Sequence, residues 1–156
     1  TCALPIYLGA GLVDLDGLLI DEMREIVEAA ENARWDRFLQ ADNERGARGW
    51  SILQKVVGHA IPNVEAKLQE TEGLLVMTGF GLLARYDRFE ILERLRDLLT
   101  RKQKEHPLRG VVLIVPGDDP SARPVVDGRP IPVITANQWA HLPSAWLESK
   151  RGKEAA

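Results

Sequence analysis

The run Gly79-Phe80-Gly81-Leu82-Leu83-Ala84 matches the G-x-G-x-x-A pattern, in which glycines let a dinucleotide pyrophosphate approach a helix N-terminus. It follows the apolar run Leu74-Leu75-Val76-Met77, as a phosphate loop follows a buried strand. The acidic partner is misplaced. It should close the following strand, whereas that strand is expected to end at Val115, and its first acids are Asp118 and Asp119. A plain turn ahead of a helix is the preferred reading, and a dinucleotide-dependent oxidoreductase ranks third among the function classes weighed.

Other chemistries have less behind them. A nucleotide triphosphate loop needs G-x-x-x-x-G-K-[ST], and the sequence contains none. The strand Leu74 to Met77 suits the place of a metal-binding Walker B strand, but Thr78 and Gly79 stand where its acid belongs. Asp118 and Asp119 fall at the strand edge where α/β sheets bind ligands, so they are candidate metal or phosphate contacts. Between Gly117 and Pro120 they read first as turn residues. His59, His106 and His141 form no i,i+4 pair, which leaves zinc without sequence support. No serine sits in a G-x-S-x-G elbow, and no H-R-D or D-F-G set marks a kinase core. The basic run Arg101-Lys102-Gln103-Lys104 closes a helix, where cations complement the dipole without any nucleic acid. No residue is assigned a catalytic role.

The elements that must position these residues follow from periodicity. Met23, Ile26, Val27, Ala30, Ala33 and Phe38 recur at helical spacing with Glu22, Glu25, Glu28 and Glu31 between them, which predicts one acidic amphipathic helix from Asp16 to near Asn43. Trp50, Leu53, Val57 and Ala60 predict a second helix stopped at Pro62, and Asn63 to Gln69 a third. A buried strand over Leu74 to Met77, a helix between Asp87 and Glu105 and a strand over Gly110 to Val115 make a βαβ unit at 74–115. Asp87 is the expected N-cap of that helix, with Phe89, Leu92, Leu95 and Leu99 on its apolar face and Glu90–Arg94 and Asp97–Arg101 as i,i+4 pairs. Beyond Pro116, Asp127-Gly128 signals a tight hairpin that its prolines confine to a sheet edge. Val133 to Thr135 is read as a last strand, and Gln138 to His141 and Ser144 to Ser149 as helical turns carrying Trp139 and Trp146.

The fold class is therefore α/β: N-terminal helices, then a small mostly parallel sheet with a Pro-rich edge hairpin. With 156 residues, 45% hydrophobic and 28% charged, the chain suits one ordinary domain, taken as residues 8–149 with a frayed tail at 150–156. Residues 1–7 are set apart, because Thr1-Cys2-Ala3-Leu4-Pro5-Ile6 reads as the translation of a common sequencing-adaptor end; the chain is then expected to be part of a larger protein. No apolar run approaches the roughly 20 residues of a membrane span. A single cysteine permits no internal disulfide, which fits a reducing cytoplasm. Net charge is −3 but divided, with 7 basic and 13 acidic side chains in residues 1–84 and 13 and 10 in the rest. That falls short of a nucleic-acid-binding footprint.

One family carries several of these runs in the same order. Gly81-Leu82-Leu83-Ala84-Arg85-Tyr86-Asp87, Val111 to Pro116, Asp127-Gly128-Arg129-Pro130-Ile131-Pro132-Val133-Ile134, Gln138-Trp139 and Ala145-Trp146-Leu147 resemble the C-terminal region of the large proteins of type 2 BREX (phage growth limitation) defence systems. The likeness is strongest to their serine/threonine kinase component, with the large ATPase component as a sister possibility. The resemblance implies a bacterial cytoplasmic protein that helps restrict phage, with the kinase core upstream and no kinase catalytic residue in this stretch. It implies an ATPase-like or regulatory module that itself carries no cofactor, while ATP and Mg belong to the parent protein. Other BREX components are the implied partners, DNA an indirect one, and no membrane is involved. Arg85 and Tyr86 would lie at the active edge of the sheet as contacts for nucleotide, DNA or another subunit. In the alternative reading the chain is a non-catalytic interaction module, with Trp139 and Trp146 as interface anchors.

Overall fold

The structure is a computed structural model that describes residues 10–31, 33–101, 106–117, 119 and 121–145. Its centre is an all-parallel sheet of three strands in the order β1-β2-β3: β1 (Gly11–Asp14), β2 (Gly73–Thr78) and β3 (Leu108–Leu113). Residues Gly11 to Asp14 lie opposite Leu75 to Thr78, and Leu74 to Met77 lie opposite Gly110 to Leu113. The βαβ unit and the α/β class are as the sequence suggests. Strand β1 escaped the sequence reading, because four residues beside a strong helical pattern carry too little alternation to register.

Three helices connect β1 to β2: α1 (Leu15–Glu28), α2 (Trp35–Asn43) and α3 (Arg48–Gln69). The single helix expected from Asp16 to Asn43 is thus two. In α1 the buried stripe is Leu15, Leu19, Glu22, Met23 and Val27, and its next positions, four and seven residues on, are Glu31 and Arg34. A charged continuation cannot stay on the core, so the chain turns and restarts at Trp35, whose helix buries Ala41. Glu22, expected on the polar face, is also inside at 1% exposure and is paired with Lys67 of α3.

Proline 62 does not end a helix. It lies inside α3, whose buried stripe of Leu53, Val57, Ala60, Ile61, Val64 and Leu68 runs unbroken through it. Proline removes one backbone hydrogen bond, here to the carbonyl of Gly58, and costs about 3 kcal/mol in a helix interior. Keeping Val64 and Leu68 on the core, at about 1.5–3 kcal/mol per fully buried side chain, outweighs it.

Between β2 and β3 a short helix absent from the sequence reading, α4 (Gly81–Tyr86), precedes α5 (Glu90–Thr100), the helix expected between Asp87 and Glu105. Asp87 separates them in the left-handed region (φ 60°), so it terminates α4 instead of capping α5. The i,i+4 pairs expected on α5 are replaced by others. Arg94 reaches Glu65 of α3 at 2.8 Å, and Asp97 pairs with Arg96 at 2.8 Å. Ile91, Leu92 and Leu95 are buried, with Phe89 and Leu99 packed beside them.

Asp127 and Gly128 form the hairpin turn with φ of 49° and 77°, joining β4 (Val125–Val126) to β5 (Arg129–Pro130). These two strands pair only with each other and form a separate sheet, not an edge of the parallel one, since prolines 124, 130 and 132 withhold ladder donors. Val133 to Thr135 is not a strand: Arg123 donates to the carbonyls of Ile131 and Val133, occupying the acceptors a ladder would use. A 3₁₀ turn at Ala136–Gln138 stands just ahead of the helical turn expected at Gln138 to His141; Ser144 and Ala145 are helical as expected, and residues 146–149 lie outside the described residues. All five helices, one side of the parallel sheet and Ile131 share a single core cluster. No described helix is long and apolar enough to cross a membrane.

Candidate functional site

Ligands of open α/β sheets bind beyond the carboxyl ends of the strands, so the site is sought where β1 and β2 end. Strand β1 runs into α1 without a loop, which places Asp14 at the strand end and Asp16 in the first helical turn. Strand β2 ends at Thr78 opposite Asp14, and Gly79 and Phe80 lead directly into α4.

The turn amides that a phosphate would use are already engaged. The Asp16 carboxylate accepts the backbone N–H of Gly81 at 3.1 Å and of Leu82 at 2.8 Å. An anion at the first turn of a helix satisfies donors that have no intrahelical partner; here the anion is the protein's own. Burial holds the Asp16 carboxyl above its ordinary value despite these two hydrogen bonds, and nearby Asp14 and Asp127 push in the same direction.

Gly79 is required for two reasons. Its φ is +68°, and a Cβ there would lie 1.9 Å from Oδ1 of Asp14. The glycine admits the Asp14 carboxylate where a side chain would stand, a structural reason for the first glycine of the run. The plain-turn reading accounts for the G-x-G-x-x-A match without a dinucleotide.

Arg85 and Tyr86 converge on Asp42 of α2. Nε of Arg85 donates to Asp42 Oδ1 at 2.7 Å, and a second guanidinium nitrogen donates to the Asp42 carbonyl at 2.5 Å. That carbonyl belongs to the last turn of α2, where helical carbonyls lack internal partners. The buried Tyr86 hydroxyl donates to the same Asp42 Oδ1 at 3.1 Å, and its ring lies 5.8 Å from that of Trp50. Arg45 stacks over Trp50 at 5.5 Å. Burial, with Asp42 adding to it, raises the Tyr86 phenol well above its ordinary range, so it stays a neutral donor. Both side chains expected to meet an external ligand thus clamp α2 onto α4.

The remaining candidates that lie among the described residues do not join this edge. Asp119 is exposed and its carboxylate accepts the Ser121 N–H at 2.8 Å, which is turn geometry. Asp118 and Trp146 lie outside the described residues, and Trp139 is half-buried after the 3₁₀ turn. His106 accepts the Leu108 N–H through Nδ1 at 3.2 Å. Among the described residues no three or more His, Cys, Asp or Glu side chains are grouped to hold a metal ion. Sequence reasoning missed Asp14, Asp16 and Asp42. The only trace of Asp16 was an acid in the first turn of a helix, and nothing tied it to amides 66 residues away.

This edge makes a closed set of internal contacts, so relatives must say what the chain is part of. It is similar to the probable kinase PglW. That protein, from Streptomyces coelicolor, is 27% identical over 152 residues, which take in 92% of this chain and 9% of PglW. The similarity bears out the resemblance read from the sequence motifs. The chain spans less than a tenth of the length of the curated relative it matches. No family model matches the chain, and no solved structure matches it.

Proposed function

We propose that this chain is a non-catalytic regulatory module of a kinase-related protein of the BREX (phage growth limitation) type. The observation that carries the reading is the similarity to PglW, which takes in nearly the whole chain and only 9% of that kinase. A stretch that small, without the H-R-D or D-F-G residues of a kinase core, accompanies a catalytic domain and does not constitute one. The geometry favours regulation over ATP hydrolysis. The amides of Gly81 and Leu82 are held by Asp16, Thr78 stands where a Walker B acid belongs, and Arg85 and Tyr86 are committed to Asp42. ATP and magnesium act in the parent protein, and the module meets other defence components there in the cytoplasm.

The test uses the intact defence system with Leu75, fully buried on β2, changed to Asp. Phage plating and phosphotransfer by the purified kinase are then measured side by side. The reading requires restriction to be lost while phosphotransfer per molecule persists. Unchanged restriction would remove the module from the defence function, and loss of phosphotransfer would make it part of the catalytic machinery.

A further inference from the structure

Parallel sheets occur almost only with both faces covered, yet among the described residues this one is covered on a single face. Side chains alternate along the strands, and Leu75, Met77, Val13 and Leu113 point into the common core. The opposite alternation places Leu12, Val76 and Val112 in one cross-strand row, with Leu74 and Ile114 on the same face. None of these five belongs to the core cluster. Leu12, Val112 and Ile114 are 51%, 44% and 45% exposed, while Val76, flanked by both neighbouring strands, is 8% exposed. The carboxyl end of this face is polar, where Asp14 and Thr78 form the next cross-strand row; the remainder is apolar on all three strands, the pattern of strands buried on both sides.

We propose that this face is the seat of one amphipathic helix supplied by the same polypeptide, from outside residues 1–156. The proposal rests on the reading above, that the chain is a module of a longer protein. The size of the face decides the kind of occupant. Three strands about 4.8 Å apart, each offering roughly five residues at about 3.3 Å, give a footprint of roughly 250 Å². A stable interface between separate molecules buries about 800 Å² on each partner. A second copy or a free protein therefore cannot be held by this face alone, whereas a tethered segment docks at the high effective concentration its linkage provides. A helix about 10 Å across, lying along the strands for roughly 12 residues, matches the footprint. The similarity to 9% of a much longer relative supplies ample polypeptide from which such a helix can come.

The test compares the 156-residue chain with the polypeptide encoded by the complete reading frame around it, both carrying Cys2→Ser. Val112→Cys reports on the face, and Ser51→Cys, exposed on α3, serves as the reference; circular dichroism melting verifies that each variant folds. The readout is the rate of maleimide labelling. In the 156-residue chain both sites should label fast at every protein concentration. In the longer polypeptide Val112→Cys should slow at least about tenfold relative to Ser51→Cys, the protection of a face open less than a tenth of the time. Equal relative rates in the two polypeptides overturn the proposal and leave the modular reading standing. Protection that grows with concentration in the 156-residue chain overturns it in favour of a second copy. A reading frame that adds no polypeptide removes the modular reading and the proposal together.

Discussion

The carboxylate of Asp16 accepts the backbone N–H of Leu82 at 2.8 Å across 66 residues of sequence. With its second bond, to Gly81, it ties the start of α1 to the start of α4 and fills the place a phosphate would take in a dinucleotide fold. Asp16→Ala should lower stability by about 1–3 kcal/mol, because two amides lose their acceptor in a partly buried site. Asp16→Asn, which keeps one acceptor oxygen and removes the desolvated charge, should recover part of that loss. Urea unfolding of the three proteins measures it, and an unchanged midpoint for Asp16→Ala would remove the structural role assigned to this carboxylate.

Gly79 and Asp14 form a second linked pair. Gly79→Ala should cost about 2–4 kcal/mol, from the positive φ and the collision with the Asp14 carboxylate. Adding Asp14→Ala relieves the collision but not the backbone strain, so the double variant should be more stable than the sum of the single effects requires. A double-mutant cycle with no coupling would contradict the contact.

The helix α3 carries an internal test of tertiary override. Pro62 is exposed and interrupts one backbone bond without diverting the buried stripe. Pro62→Ala restores that bond and should stabilise the chain by about 1–2 kcal/mol after allowing for the greater freedom of the unfolded chain. Thermal melting reads the sign directly, and a destabilised variant would mean that the proline is required by its packing.

Tyr86 sets an alkaline limit. Its phenol is raised above the ordinary value of 10.0 by burial and by Asp42, so the folded state retains a proton that the unfolded chain has begun to lose. The stability from this group is complete below about pH 10 and falls as pH rises toward the higher folded value, by up to about 1.4 kcal/mol per pH unit. Tyr86→Phe should cost about 1 kcal/mol at neutral pH and show a shallower loss between about pH 9 and pH 11. Identical slopes for the two proteins would place the phenol in water.

The parts of this architecture that were legible in the sequence are those whose signal is local. The apolar runs at Leu74 to Met77 and Gly110 to Val115 and the Asp127-Gly128 turn each identify themselves within a few residues, and each is present. Helix ends were not legible, because packing decides them: Pro62 is overruled by the stripe on both its sides, and α1 ends where the stripe would have met Glu31 and Arg34. The motif from Gly79 to Ala84 was legible as a turn, while its actual partner, Asp16, was hidden by sequence distance. Arg85 and Tyr86, read from the sequence as contacts for nucleotide, DNA or another subunit, hydrogen-bond Asp42, which no spacing connects to them.

The most direct measurement is an amide NMR titration of the chain with ATP and magnesium and, separately, with NAD. The account predicts that the Gly81 and Leu82 resonances hold their positions up to millimolar ligand, because Asp16 already satisfies both amides. A saturable shift of these two resonances at sub-millimolar nucleotide would mean that the turn cradles phosphate, and would contradict the non-catalytic, regulatory reading.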